Sequence, residues 1–408
     1  MEKHPFGKNW LMASLPERTG VYSIALQTRK SVLEWPASEP YSRKMLPKIL
    51  KTGISYDILH FKLPFAQEVS TLQKKTYIEC LRIAACFLVI VNHTNSSIFL
   101  HSSPSPLWFS SLTYFFICKV AVPLFLLIMG ALLLEKEDTP KKTAERLVRI
   151  FTVLVVGSFF YYAYYSVRND TVFSIGDFLL KLPQIYVTNA YWYLYLYLAL
   201  LFMLPILQKL VKALDRQYLG YLLFLSVGVL GTVPLIPFLN LSPHFTAGLI
   251  GTPIGLVLLG YYIERYVPMT KRVFRRCLCT FILLIVFQVW RTYLFYLQNP
   301  SRYLILDNWR LITIVGSSAC FYICVKYSFT RRPVSPGLER GLDRLGRLTF
   351  GIYLLSDMVM HLSEFLHEML LEWMHPLAAV LLWELLIFGV SALITAGLRM
   401  IPPLRKWI

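Results

Sequence analysis

Apolar residues in this chain gather in runs of about twenty, the length a helix needs to cross a bilayer, separated by short polar segments. The runs predict ten membrane spans, near residues 77–97, 110–134, 149–167, 191–211, 218–238, 246–264, 277–297, 310–328, 348–366 and 377–398. The fold class expected is therefore all-α, a polytopic bundle of about ten transmembrane helices. No connecting loop is long enough to hold a soluble domain.

Charge tests that count independently, because cytoplasmic loops hold the excess of Lys and Arg. Alternate loops do so: Lys136, Lys141, Lys142, Arg146 and Arg149; Lys209, Lys212 and Arg216; Arg265, Lys271, Arg272, Arg275 and Arg276; and Lys326, Arg331, Arg332, Arg340, Arg344 and Arg347. Segments 98–109, 239–247 and 367–376 have neither residue, and the remaining loops carry Arg168 and Lys181, or Arg302 and Arg310. Ten spans with both termini cytoplasmic satisfy every loop. The expected organisation is a cytoplasmic extension over 1–75, a membrane domain over 76–400 and a short cytoplasmic tail over 401–408.

Composition agrees, since 56% of the 408 residues are hydrophobic and 16% charged, which excludes an ordinary soluble domain. The net charge of +18 is spread over separate loops and forms no single basic face, so it points to topology and anionic lipid headgroups, and no nucleic-acid partner is expected. The seven cysteines lie in or beside predicted spans without the spacing of a metal site, so neither a disulfide nor a metal is expected. Residues 1–75 hold twelve Lys or Arg against six Asp or Glu and no apolar run of signal-peptide length. Segment 52–66 could lie on the membrane surface, and a poorly ordered lead-in or a misassigned start is an equal alternative.

The chemistry concentrates in the first span. Tyr77–Thr94 is apolar yet carries Glu79, Arg82 and His93, and ionisable groups inside a membrane mark function. Arg82 and His93 are eleven residues apart, so they share a helix face about 16 Å apart along the axis. Glu79 lies three residues before Arg82 and can hold its guanidinium. In the second span Lys119 sits among Phe115, Phe116, Val120 and Val122 at a depth similar to His93. Arg146 and Arg149 lie one turn apart where a basic loop enters the third span. Each has a plainer reading: a histidine bonded between helices, arginines and a lysine snorkelling to an interface, or topogenic charge. Arg291, Asp357, His361 and Glu384 are weaker candidates, for an acceptor cavity or for helix-to-helix pairs. The tyrosines at 161, 162, 164, 165, 191 and 193 read first as an interfacial belt and second as a surface for stacking sugars.

Leu81-Arg82 followed after ten residues by His93, then Lys119-Val-Ala-Val-Pro-Leu-Phe-Leu-Leu-Ile-Met-Gly130, Arg146-x-x-Arg149, Tyr191-Trp-Tyr-Leu-Tyr-Leu196 and Phe350-Gly-Ile-Tyr-Leu354 together resemble the acyltransferase 3 family. The likeness is ordered along about residues 76–400 and is nearest to compact members that lack a fused outer esterase domain. It implies an integral membrane O-acyltransferase of the plasma membrane, moving an acyl group, usually acetyl, from acetyl-CoA to a hydroxyl of a cell-surface polysaccharide or its lipid-linked precursor. The chain departs from the family pattern in three places: Glu79 stands for the usual Asp, Met129-Gly130 for Ser-Gly, and Ser356 for a His that follows Gly-Ile-Tyr-Leu-Ile. The likeness implies His93 as general base, Arg82 with Glu79 along the donor path, Lys119 as oxyanion stabiliser or tuner of the histidine, and Arg146 and Arg149 on the phosphates of coenzyme A. Direct transfer and an acyl-enzyme both stay open, since no Ser-His-Asp order or nucleophile elbow appears. A transporter or flippase for a lipid-linked saccharide, or a non-catalytic part of a polysaccharide-export complex, is the alternative.

Overall fold

The computed structural model describes residues 76–94, 98–99, 102–184, 187–229, 251–298, 307–331 and 334–408. The expectations for 1–75 and its segment 52–66, for the 239–247 loop and for Arg302 lie outside the described residues. Lys75–Ile408 form one compact unit.

The described chain is a bundle of helices without strands: α1 Thr76–Thr94, α2 Pro106–Cys118, α3 Ala121–Leu133, α4 Pro140–Arg168, α5 Ile175–Gln184, α6 Trp192–Ala213, α7 Arg216–Leu223 running into a π-helical turn, α8 Thr252–Tyr266, α9 Lys271–Gln298, α10 Asp307–Arg331, α11 Pro336–Gly346, α12 Thr349–Leu362, α13 Glu364–Trp373 and α14 Pro376–Met400. Seven helical stretches among the described residues are long and apolar enough to cross a membrane, and α12 is a shorter apolar helix. Of the other two predicted spans, α7 with its π-helical turn and α8 occupy the described parts.

A recurrent local device starts these helices. Ser105-Pro106, Thr139-Pro140 and Ser335-Pro336 each place a hydroxyl at the N-cap, accepting from the backbone N–H of Trp108, Lys142 and Leu338, with proline at the first helical position. The hydroxyl satisfies an orphan donor, and proline lacks the N–H that would otherwise have been left over.

The second predicted span is two helices, α2 and α3, meeting at Lys119-Val120. Pro123 explains the break: it has no N–H to bond the Lys119 carbonyl, and its ring crowds that carbonyl. Beyond the break α3 packs tightly on α8. A Cβ on Gly130 would come within 1.8 Å of the Val257 carbonyl oxygen, and one on Gly260 within 2.0 Å of the Leu127 carbonyl oxygen. Small residues allow such backbone approach where lipid supplies no hydrophobic drive between helices.

Apolar faces that no neighbour covers point outward. On α9, Ile282, Leu283, Val286 and Trp290 are all more than half exposed, which suits a helix facing lipid tails. Glu384 of α14 is 0% exposed and accepts hydrogen bonds from Thr94 at 2.6 Å and Tyr114 at 2.7 Å. That carboxylate joins α1, α2 and α14 at the end of the bundle where His93 lies.

Candidate active site

Two cavities lie end to end along α1. The first opens around Arg82, with a volume of about 350 Å³ and lined also by Arg149 of α4, Arg347, Phe350, Tyr197 and apolar residues of α3. Arg82 Nη1 donates to both carboxylate oxygens of Glu79, at 3.0 and 3.3 Å, which fixes the guanidinium as the i, i+3 spacing leads one to expect. Glu79 itself rests on Gly346, where a Cβ would lie 2.1 Å from its Oε2. Arg149 donates from Nε to the Trp407 carbonyl at 3.3 Å and lies over the Phe350 ring at 5.7 Å. Arg347 donates to Asp343 at 2.6 Å. Among the described residues no acidic side chain lines this cavity, so three guanidinium groups border an otherwise mostly apolar chamber.

The second cavity, about 440 Å³, is bordered by Asn92 and His93 of α1, Cys118 and Lys119 at the α2–α3 break, Trp192 and Tyr193 of α6, and Tyr353 of α12. Lys119 Nζ donates to Asn92 Oδ1 and stands 3.9 Å over the Phe115 ring. The amide and the ring face let a half-buried ammonium persist among apolar side chains. Behind His93 runs a narrow crevice lined also by Ala190, Tyr353, Ser356 and Asp357. Asp357 is 8% exposed, accepts from the Thr188 hydroxyl at 2.7 Å and lies 3.9 Å from His361 Nε2.

Tyrosine hydroxyls hold α12 in place. Tyr191 and Tyr161 donate to the Leu354 carbonyl at 3.1 and 3.3 Å, Tyr161 accepts from the Met358 N–H at 2.8 Å, and Tyr353 donates to the Ala190 carbonyl. Buried hydroxyls that find backbone partners this way fix orientation more than they add stability. The aromatic run that read first as an interfacial belt thus includes internal supports.

Phe125, Tyr193 and Tyr353 line both cavities. Tyr193 lies between the other two, its ring centroid 5.8 Å from Phe125 and 6.0 Å from Tyr353.

The six residues singled out in the sequence fall into three places. Arg82 and Arg149 line the first cavity, with Glu79 behind it on the Arg82 guanidinium, and His93 and Lys119 line the second. Arg146 lines neither: its guanidinium binds Asp138, whose carboxylate also accepts from Gln208 Nε2 at 3.0 Å. Of the weaker candidates, Asp357 joins His93, whereas Glu384 ties helices together and Arg291 lines neither cavity. Asn92 and Arg347 are members of the cavities that sequence reasoning passed over. Asn92 stood next to His93 inside an apolar run, a signal present in the sequence. Among the described residues no group of three His, Cys, Asp or Glu side chains could hold a metal.

Such a site has an end bordered by three arginines, a chamber with an imidazole, an amide and an ammonium beside a crevice that holds a carboxylate, and three aromatic side chains common to both cavities. No match to the chain was found among curated proteins or among solved structures. The family described as an acyltransferase domain, acyltransferase 3, matches residues 75–398, which takes in α1 to α13, nearly all of α14 and every residue of both cavities. The chain therefore belongs to the acyltransferase 3 family and is a membrane acyltransferase.

Proposed function

We propose that the protein transfers an acyl group, most simply acetyl, from acyl-CoA on the cytoplasmic side to a hydroxyl of a surface polysaccharide or its lipid-linked precursor on the other side of the plasma membrane. The observation that carries this reading is the end-to-end pair of cavities, one bordered by Arg82, Arg149 and Arg347 and the other by His93, Lys119 and Asn92. The positive-inside rule puts the arginine end at the cytoplasm, where acyl-CoA is. Ten spans with both termini inside remain the topology that fits the loop charges.

The donor's phosphates bind at the arginine end, where Arg149 and Arg347 are exposed and Arg82 lies deeper. The thioester arm extends along α1 towards the second cavity. There the acceptor oxygen attacks the thioester carbonyl while His93 takes the hydroxyl proton. Lys119 and Asn92 face the developing oxyanion. As the carbon–sulfur bond breaks, the proton passes from His93 to the departing thiolate, giving the O-ester and free CoA. Asp357 faces His93 across the crevice and steadies the imidazolium formed midway.

Mass spectrometry of surface glycans with and without the protein tests the reading. Loss of acetyl mass without the protein, restored by the wild-type chain and not by His93→Asn, is expected, because a general base contributes on the order of 10²- to 10⁴-fold to rate. Asn keeps hydrogen bonding without basicity. Near wild-type acetylation by His93→Asn would make the histidine a structural group and end the mechanism, and unchanged glycans without the protein would favour a transporter.

A further inference from the structure

We propose that the pocket at the far end of α4, bordered by Tyr162, Tyr165, Ser166, Asn169, Thr171 and Lys181, anchors a sugar ring of the acceptor beside the His93 crevice. This rests on the reading of the protein as a transferase to saccharide hydroxyls.

α4 starts at the basic loop that carries Arg146 and Arg149, so its other end, at Arg168, lies on the outer side of the membrane. The pocket there has a volume of about 320 Å³, within the size range of small-molecule sites. The chain reverses over the end of the helix: Asp170 takes a left-handed φ of 50°, and Thr171 donates its N–H to the Ser166 carbonyl at 2.9 Å, an ending that glycine more often supplies. Asn169 and Thr171 border the pocket on either side of this turn.

The lining suits a sugar ring, which needs groups that donate and accept around its hydroxyls and an aromatic face for its C–H side. Tyr162 and Lys181 are fixed by Asp177, which accepts from the phenol at 2.6 Å and pairs with the ammonium at 2.7 Å. The ammonium keeps further N–H donors for a ligand oxygen. Its charge is matched, and no second cation among the described residues lines the pocket, which favours neutral hydroxyls over a phosphate. Lys181 is also one of the few basic residues that the loop pattern leaves outside, where it has no topogenic role.

Two sets of contacts tie the pocket to the crevice. The Tyr165 ring stands 6.1 Å from the His361 ring, and His361 Nε2 lies 3.9 Å from Asp357. Val187, on the pocket's border, precedes Thr188, whose hydroxyl donates to Asp357 at 2.7 Å. Asp357 in turn lines the crevice with His93. One sugar is anchored in the pocket, and a hydroxyl of that sugar or of its neighbour is delivered to His93. Binding there makes and breaks no covalent bond and contributes by positioning the acceptor. α5, which supplies Lys181, has ten residues, too few to cross a bilayer, and leaves Ile175, Leu179 and Leu180 more than half exposed, as a helix lying at the membrane surface does. The pocket is therefore within reach of a saccharide carried on a lipid or on a surface polysaccharide.

The test measures transfer of radiolabelled acetyl from acetyl-CoA by purified full-length protein to two fractions from cells lacking it, the glycolipids extracted in organic solvent and the water-soluble surface polysaccharide. Asn169→Ala and Thr171→Val should each raise the KM for the acceptor fraction by about tenfold, as the loss of a hydrogen bond to a ligand does, with the KM for acetyl-CoA unchanged. Tyr165→Leu should raise it further by removing the ring face. Asn169 and Thr171 are exposed, so their variants keep the test decisive if Tyr165→Leu disturbs folding. Transfer to the first fraction assigns a lipid-linked carrier and to the second a polysaccharide, and the raised acceptor KM supports the pocket in both. A wild-type acceptor KM in Asn169→Ala and Thr171→Val would overturn the subsite while leaving the transferase reading intact. No transfer by wild type to either fraction would overturn both.

Discussion

His93 of α1 and Asp357 of α12 line the same narrow crevice, and Asp357 is held there by the Thr188 hydroxyl at 2.7 Å. Ser356 stands where the family usually has a histidine, and Asp357 beside it supplies a carboxylate to the crevice that His93 lines. Asp357→Asn should lower kcat by about 10² with little change in the KM for acyl-CoA, because a residue that steadies the base acts on the chemical step and not on donor binding. Kinetics with acetyl-CoA check this, and an unchanged kcat would reduce Asp357 to a support for the Thr188 segment.

Arg149 and Arg146 occupy one turn of α4 and are expected to behave differently. Arg149→Ala should raise the KM for acetyl-CoA about ten- to a hundredfold, the loss of a charge-assisted contact to phosphate. Arg149→Lys should recover only part of it. Arg146→Ala should leave KM nearly unchanged and lower the thermal midpoint. The reverse pattern would return the donor grip to Arg146.

Asp138 is the structural partner of Arg146, and its contribution depends on pH. Burial pushes its carboxyl up, but hydrogen bonds from Arg146 and Gln208 outweigh that and hold it below the usual carboxylate value. A group depressed on folding stabilises fully above its unfolded value, about 3.9, and loses that stabilisation as pH falls through its own lower value. Asp138→Asn should therefore lower the melting temperature at pH 7 and narrow its difference from wild type below about pH 4. Melting curves in detergent across that range decide it.

Gly130→Ala and Gly260→Ala should each destabilise the protein sharply, because the added carbon would collide with main-chain atoms that cannot swing aside. Gly220→Ala is the matched control, with nothing within 4 Å of its added carbon, and it should be neutral or slightly stabilising through helix propensity. Size-exclusion profiles and thermal midpoints in detergent separate the two cases. Equal behaviour of all three would mean that α3 and α8 are not in backbone contact.

What the sequence disclosed was whatever one helix can determine by itself. The spacing of Arg82 and His93 placed them at opposite ends of one face, and Glu79 three residues before Arg82 foretold their ion pair. Pro123 stood in the quoted motif, and it accounts for the break at Lys119, although hydropathy alone read an uninterrupted span. The split between Arg146 and Arg149 was hidden because it depends on where Asp138 and Gln208 arrive, and no periodicity in α4 encodes that. The meeting of His93 and Asp357 was hidden for the same reason, as it joins α1 to α12 across most of the chain.

The glycine contact between α3 and α8 bears on the shape of the arginine chamber, because α3 supplies one of its sides. Phe125 and Met129 lie along α3 and line the arginine chamber, so they are graduations on one rod that begins beyond the break at Lys119. Four residues separate Phe125 from Met129, a rise of about 6 Å on an α-helix. Clamped to α8, that rod cannot slide or tilt to meet a donor of different reach. That side of the chamber therefore keeps its shape and leaves adaptation to the molecule that lies against it.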